Sequence, residues 1–217
     1  MVRVARILIV LVGGSWAGVL PSPLTGDEWP QWRGPNRDGV WRETGIVDKL
    51  PAGRIPLRWR APIASGYTGP TVAGGRVFVM DRQVKPREVE RVLCFDWQTG
   101  KPLWTDTYDC TYEVSYPAGP RASVSIDEGR AYALGTMGHL HCYNAADGKI
   151  LWAHDLKEEY KARVPTWGIA AAPLVDGELV ILQIGGSNGA CLVALDKQPE
   201  RHGERRQLVR QPPLKAL

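Results

Sequence analysis

The sequence predicts an all-β chain built from successive four-stranded antiparallel sheets, and three observations carry that expectation. A decapeptide recurs, FDWQTGKPLW at Phe95–Trp104 and YNAADGKILW at Tyr143–Trp152, each with a Trp four residues after its Gly. A third copy starts as ALDKQ at Ala194–Gln198 and gives way to PERHGERRQ. Ahead of each copy, two β-rich runs flank Gly74-Gly75, Asp127-Glu128-Gly129 or Asp176-Gly177, turn residues that supply the positive φ of a tight hairpin. With 24 Gly, 17 Pro and 9 Trp in 217 residues, the composition suits short strands and turns better than helices. A four-stranded unit repeated every 40–50 residues is the pattern of a propeller blade.

Taken along the chain, residues 1–17 have the form of an export signal. Arg3 and Arg6 precede the apolar run ILIVLVGG, and Ser15-Trp16-Ala17 places small residues around a cut after Ala17. The run is too short to span a bilayer comfortably, no Cys precedes Cys94 to take a lipid, and the twin-arginine pair is missing. The expectation is a Sec-type signal peptide, a periplasmic or secreted product, and no membrane span after cleavage. Residues 18–55 follow as an extended segment. In PLRWRAP, Trp59 precedes Trp104 by nearly one repeat, which predicts a lone fourth strand without the three that should precede it.

Residues 56–198 then hold the partial propeller. Each unit's third strand is ERVLCFD, HLHCYN or ACLVALD, and the fourth is KPLWTDT or KILWAHD. Asp96 and Asn144 end third strands where a short side chain can accept from the turn, and Gly100 and Gly148 supply its left-handed residue. Asp196 stands at the same place in the third unit. Trp104 and Trp152 are expected to pack between blades, each indole N–H free to find an acceptor. Cys94 and Cys142 occupy equivalent positions, as repeated core residues would, so the four cysteines do not form a disulfide framework. Asp81, Asp127, Asp147 and Asp176 read as turn residues.

After Gln198 the third copy fails. Glu204 falls near the place of the repeat Trp, and residues 199–217 show no strand signature. A basic, disordered tail is expected there. Three blades and one strand cannot close a ring. The expectation is therefore a truncated or frame-disrupted product of a longer reading frame, or a half-ring that closes by dimerisation.

The pattern LCFDWQTGKPLW and LHCYNAADGKILW resembles the repeat of the PQQ-like β-propeller family, and the opening WPQWRGPNRDGVW (Trp29–Trp41) resembles the start of exported bacterial proteins of this kind. The resemblance covers roughly residues 29–198 and implies an incomplete version of an eight-bladed propeller. It also implies one of two roles. Quinoprotein dehydrogenases of this repeat bind pyrroloquinoline quinone with calcium and oxidise alcohols or sugars, whereas assembly factors and other exported propellers bind no cofactor and act as scaffolds. The Cys-Cys pair of some quinoproteins is missing, and no converging set of six to eight oxygen ligands for calcium is evident. The expectation is a binding or scaffold module with a protein partner in the periplasm or envelope. No catalytic site, metal or cofactor is expected, and a partial quinoprotein oxidoreductase is the alternative.

Other chemistry is weaker. His139 and His141 share one strand face but lack an evident third ligand. Gly185–Ala190, GGSNGA, lacks the Lys-Ser/Thr of a phosphate loop and reads as a hairpin loop. The tail's five basic and two acidic residues, with Arg3 and Arg6, contribute +5, and residues 18–198 contribute −1 to give the net charge of +4, so the near-neutral body carries no nucleic-acid footprint. The equivalent loops SGYTGP, SYPAGPRAS and VPTWGIAAAP precede the three first strands and are expected to gather on one rim or at the central channel. Tyr67, Tyr116, Arg121 and Trp167 are the candidate binding surface.

Overall fold

The computed structural model describes residues 28–45, 49–50, 52–53, 55–199 and 206–209. The export signal expected at 1–17 and most of the basic tail lie outside them. Three four-stranded antiparallel sheets follow one another, each in simple up-and-down order. Blade one is β1 (Thr71–Ala73), β2 (Arg76–Gln83), β3 (Val89–Asp96) and β4 (Pro102–Asp109). Blade two is β5 (Ser125–Asp127), β6 (Arg130–Leu134), β7 (His139–Asn144) and β8 (Ile150–Asp155). Blade three is β9 (Leu174–Asp176), β10 (Leu179–Gln183), β11 (Leu192–Asp196) and β12 (Arg206–Val209). The short first strand β5 contacts both β1 and β9, so the three mark the inner edge from which the sheets radiate. The architecture is a partial β-propeller.

Blade two packs on both faces, so its central strands are apolar on both sides. Phe78, Met80, Val92 and Cys94 of blade one meet Val124, Ala131, Ala133 and Tyr143 of blade two. The opposite face of blade two, with Tyr132, Leu134, Leu140 and Cys142, packs on Val180, Leu182, Val193 and Leu195 of blade three. Even and odd positions of one strand thus serve different interfaces, the expected result of a two-residue side-chain period. Cys94 and Cys142 are fully buried, as repeated core residues should be, and all four cysteines are free. Burial pushes the Cys94 thiol up to about 12, so it is an inert apolar filler.

The recurring decapeptide is an inter-blade latch. Trp104 of blade one reaches blade two, where its indole N–H donates to the Ala145 carbonyl at 3.1 Å. Trp152 of blade two likewise donates to Lys197 O at 3.2 Å, and Trp59 donates to Trp97 O at 2.8 Å. Each acceptor directly follows the Asp or Asn that ends a third strand. The ring lies over the next blade's glycine: a Cβ on Gly100 would sit 2.5 Å from the Trp59 ring, and one on Gly148 2.6 Å from that of Trp104. Both glycines also have positive φ, 69° and 75°. The glycine therefore meets two demands, of which the left-handed turn is only one. A register shift at Cys94/Phe95, repeated at Cys142/Tyr143, adds one residue to the fourth strand just before each Trp and re-aims it.

Four features differ from the sequence reading. Trp59 makes its latch contacts from an extended segment with no strand pairing, not from a lone fourth strand; the indole contact needs only the ring's position. Residues 206–209, expected to be disordered, pair with β11 as a fourth strand. There Gln207 opposes Ala194, the register place that Trp104 and Trp152 hold opposite Cys94 and Cys142, and no bulge precedes it. The longer connection after Asp196 hid that strand. Asp81 is not a turn residue. It lies fully buried within β2, paired with Arg91 at 2.8 and 2.5 Å and accepting from Ala64 N at 2.6 Å. Finally, a one-turn helix, α1 (Leu156–Tyr160), interrupts the connection after β8. Asp155 caps it by accepting from Glu158 N at 3.1 Å, and the Asp-x-x-Glu spacing of DLKEE was its signal.

The two demands on the latch glycine can be separated. Gly129 also has positive φ, 75°, but nothing lies within 4 Å of a Cβ there. Gly129→Ala is therefore expected to cost about 1 kcal/mol, the left-handed penalty alone, and Gly148→Ala clearly more. In chemical denaturation, the excess at Gly148 should shrink when Trp104 is replaced by Leu.

Candidate functional site

The connections leading into β1, β5 and β9 meet on one rim and zip together through their backbones. Tyr67 N donates to Pro120 O at 2.8 Å, and Ser115 N donates to Thr166 O at 3.0 Å. The approach is so close that a Cβ on Gly119 would stand 2.2 Å from Ser65 O; only glycine fits. This zipping brings all four candidate residues together. The Tyr67 and Tyr116 rings are 6.0 Å apart, and so are the Tyr116 and Trp167 rings. Arg121 anchors the row from below. Its Nε donates to Trp167 O at 2.7 Å, its Nη1 to Gly119 O and its Nη2 to Tyr116 O, while its guanidinium lies 5.3 Å from the Tyr67 ring. The arginine thus ties its own loop to the third through main-chain carbonyls, meets the first through the Tyr67 ring, and leaves the rings outward. Tyr67, Tyr116 and Trp167 are 48%, 56% and 64% exposed. Partial desolvation, then Tyr116, raises the Tyr67 phenol above its usual range, against the pull of Arg121.

Sequence reasoning missed the inner strap. Trp29 exchanges both backbone hydrogen bonds with Val72 of β1 at 2.8 and 3.0 Å, Ile126 N of β5 donates to Pro30 O at 2.8 Å, and Arg37 Nη2 donates to Val175 O of β9 at 2.5 Å. WPQWRGPNR thus runs across the first strands of all three blades. It encloses a cleft of about 450 Å³, lined by Trp32, Arg33, Arg37, Arg121, Ala171 and Pro173 among others. The alternation of Gly, Pro and Arg in RGPNRDG marked a turn, but not what the turn would face.

A buried polar cluster fills the seam between blades one and two. Glu90, fully buried, accepts from Tyr108 Oη at 2.6 Å, from the Tyr112 hydroxyl, and from Thr136 N at 3.0 Å. Burial, then Glu90, raises both phenols. His139 and His141 do share one face, against Tyr108, with ring centroids at 5.4 and 4.5 Å. His139 Nδ1 lies 3.8 Å from Cys110 Sγ, whose thiol burial pushes up. His141 Nδ1 has no hydrogen-bond partner among the described residues. Among the described residues no group of three or more His, Cys, Asp or Glu side chains is placed to hold a metal ion. The lining of the cleft has three arginines and no carboxylate, a donor set that does not fit calcium.

The repeated latch and the radiating sheets define a propeller of PQQ-like repeats. A family model described as "Outer membrane protein assembly factor BamB" matches residues 88–201, more than half of the chain, and the chain belongs to that family. No curated protein matches it. Among solved structures it is similar to a europium-containing methanol dehydrogenase (20% identity, 66% of this chain, 25% of that one, TM-score 0.44). It is also similar to the quinohemoprotein alcohol dehydrogenase of Comamonas testosteroni (24% identity, 61% and 20%, TM-score 0.45) and to BamB of Moraxella catarrhalis (17% identity, 69% and 38%, TM-score 0.43). The chain spans between 20% and 38% of the length of these proteins, and the likeness carries none of their chemistry over. Among the described residues no helix is long and apolar enough to cross a membrane.

Two measurements test the seam. Glu90→Leu removes the acceptor of the Tyr108 hydroxyl and of Thr136 N, while the Tyr112 hydroxyl keeps Thr136 Oγ1 at 2.7 Å; at about 1–3 kcal/mol for each orphaned donor, denaturation should show a loss of at least about 2 kcal/mol. Desolvation lowers the His141 pKa from 6.5, with Asp106 and Glu90 opposing and His139 adding to the shift. Below pH 6.5 the unfolded chain then takes up a proton that the folded chain resists, so stability falls with pH until the lowered value is passed. His141→Phe should flatten the pH 7 to 5 stability profile.

Proposed function

We propose that this chain is an exported binding module of the envelope-scaffold kind, and that a protein partner lies across the rim of Tyr67, Tyr116 and Trp167. The observation that carries the reading is the convergence of three exposed aromatic residues, one from each of three equivalent connections, on a single arginine. Tyr, Trp and Arg are the residues that concentrate binding energy at protein interfaces, since they offer large, rigid contact area at low entropic cost. Membership in a family described by an outer-membrane assembly factor supports an envelope location and a polypeptide partner. No oxidation is proposed, because the cleft's arginine lining does not suit the calcium that the quinone would need.

A photo-crosslinking residue in place of Tyr116, in the producing cell, should give discrete protein adducts in the envelope fraction. Trp167→Ala and Tyr67→Ala should cut the adduct yield at least tenfold with the melting temperature unchanged, since these rings are exposed. A chain retained in the cytoplasm, or adducts indifferent to both substitutions, would overturn the reading. Dye reduction on adding pyrroloquinoline quinone and calcium would also overturn it, in favour of an oxidoreductase.

A further inference from the structure

The cleft beside the rim has a charge pattern that the fold does not require. Its lining includes Arg33, Arg37 and Arg121 and no acidic residue. Neutral groups hold all three guanidinium groups. Arg33 Nη2 donates to Asp38 O at 3.2 Å, Arg37 Nε to Gln31 Oε1 at 3.1 Å and Nη2 to Val175 O, and Arg121 to the carbonyls of Tyr116, Gly119 and Trp167. None of the three pairs with a carboxylate among the described residues. The nearby Asp38 carboxylate is taken by Arg42 at 2.6 Å, which holds it at about 2. Three like charges thus line one cleft, oriented by dipoles rather than neutralised by anions. A guanidinium held this way keeps N–H groups in the planar fork that matches a carboxylate.

The neighbourhood indicates what brings the carboxylates. Arg121 belongs to both features, lining the cleft and laying its guanidinium against the Tyr67 ring of the rim. Trp32, 64% exposed, also lines the cleft. A chain crossing the aromatic row therefore passes the cleft mouth. The chain body is near-neutral, so the attraction is local and not a general field. We infer that the arginine-lined cleft takes the acidic side chains of an extended polypeptide segment whose aromatic residues lie on the Tyr67–Tyr116–Trp167 row. This rests on the reading of the rim as a partner surface and names the partner's chemistry: an acidic segment with interspersed aromatic residues.

Fluorescence anisotropy with the full chain tests it, using a fluorescein-labelled peptide Asp-Glu-Tyr-Asp-Glu-Phe, its Asn/Gln counterpart and its Lys counterpart. The acidic peptide should bind at least tenfold more tightly than either, and should weaken as NaCl rises from 50 to 300 mM, because these charges are open to screening. Arg33→Gln with Arg37→Gln should abolish the preference, and Arg33→Glu with Arg37→Glu should transfer it to the Lys peptide. The reversed preference cannot come from misfolding. Equal binding of the acidic and neutral peptides, an unchanged preference in the variants, no binding of any peptide, or full displacement by equimolar citrate would each overturn the inference. If the rim crosslinks persist when the acidic preference fails, this inference falls alone. If both fail, the rim reading falls with it.

Discussion

One contact sets the geometry on which the rest depends: a tryptophan laid flat on the next blade's glycine, its indole N–H donating to the carbonyl just past the third strand. The hydrogen bond runs from Trp59 to blade one, from Trp104 to blade two and from Trp152 to blade three, and in the first two the ring lies over a glycine, Gly100 and Gly148. The net worth of one such hydrogen bond is only about 1 kcal/mol, but its position matters more than its strength. Each ring fixes the angle at which the following sheet leaves the axis. The apolar faces can then meet in the register that buries Phe78, Met80 and Cys94 on one seam and Tyr132, Leu134 and Cys142 on the next.

Polar groups refine what the latch begins, and they differ from seam to seam. Between blades one and two, Glu90 collects two phenols and an amide in a dry setting, where the partners must all be present for burial to be tolerable. Between blades two and three, Lys197 takes that part. Its amino group meets Asp127 at 3.1 Å and Glu128 at 3.0 Å while its own carbonyl receives Trp152. Burial works against that charge, yet the bonds to Glu128 and Asp127 outweigh it and raise the lysine. The third unit thus keeps the acceptor of the latch although its decapeptide is degraded, because a backbone carbonyl survives any side-chain change.

The aromatic rim is a by-product of the same repetition. Equivalent connections fall on one edge, so one exposed aromatic from each is enough to build a row. Arg121, bonded to carbonyls of neighbouring loops, makes the row a fixed surface instead of three mobile tips. The inner strap adds what no repeat supplies, a Trp and two Arg brought against that edge from outside the blade pattern.

The sequence by itself determined the repeat, the hairpins, the latch tryptophans and the membership of Tyr67, Tyr116, Arg121 and Trp167 in one loop set. All of these rest on spacing, turn chemistry and side-chain period, which are local. Tertiary structure alone decided which glycine lies under which indole, that Asp81 is a buried ion-pair partner, that residues 206–209 complete blade three, and that Arg33, Arg37 and Arg121 line one cleft. Those are contacts between segments far apart in the chain. Nothing in a local pattern encodes them, because they exist only once the blades have stacked and the strap has crossed their inner edge.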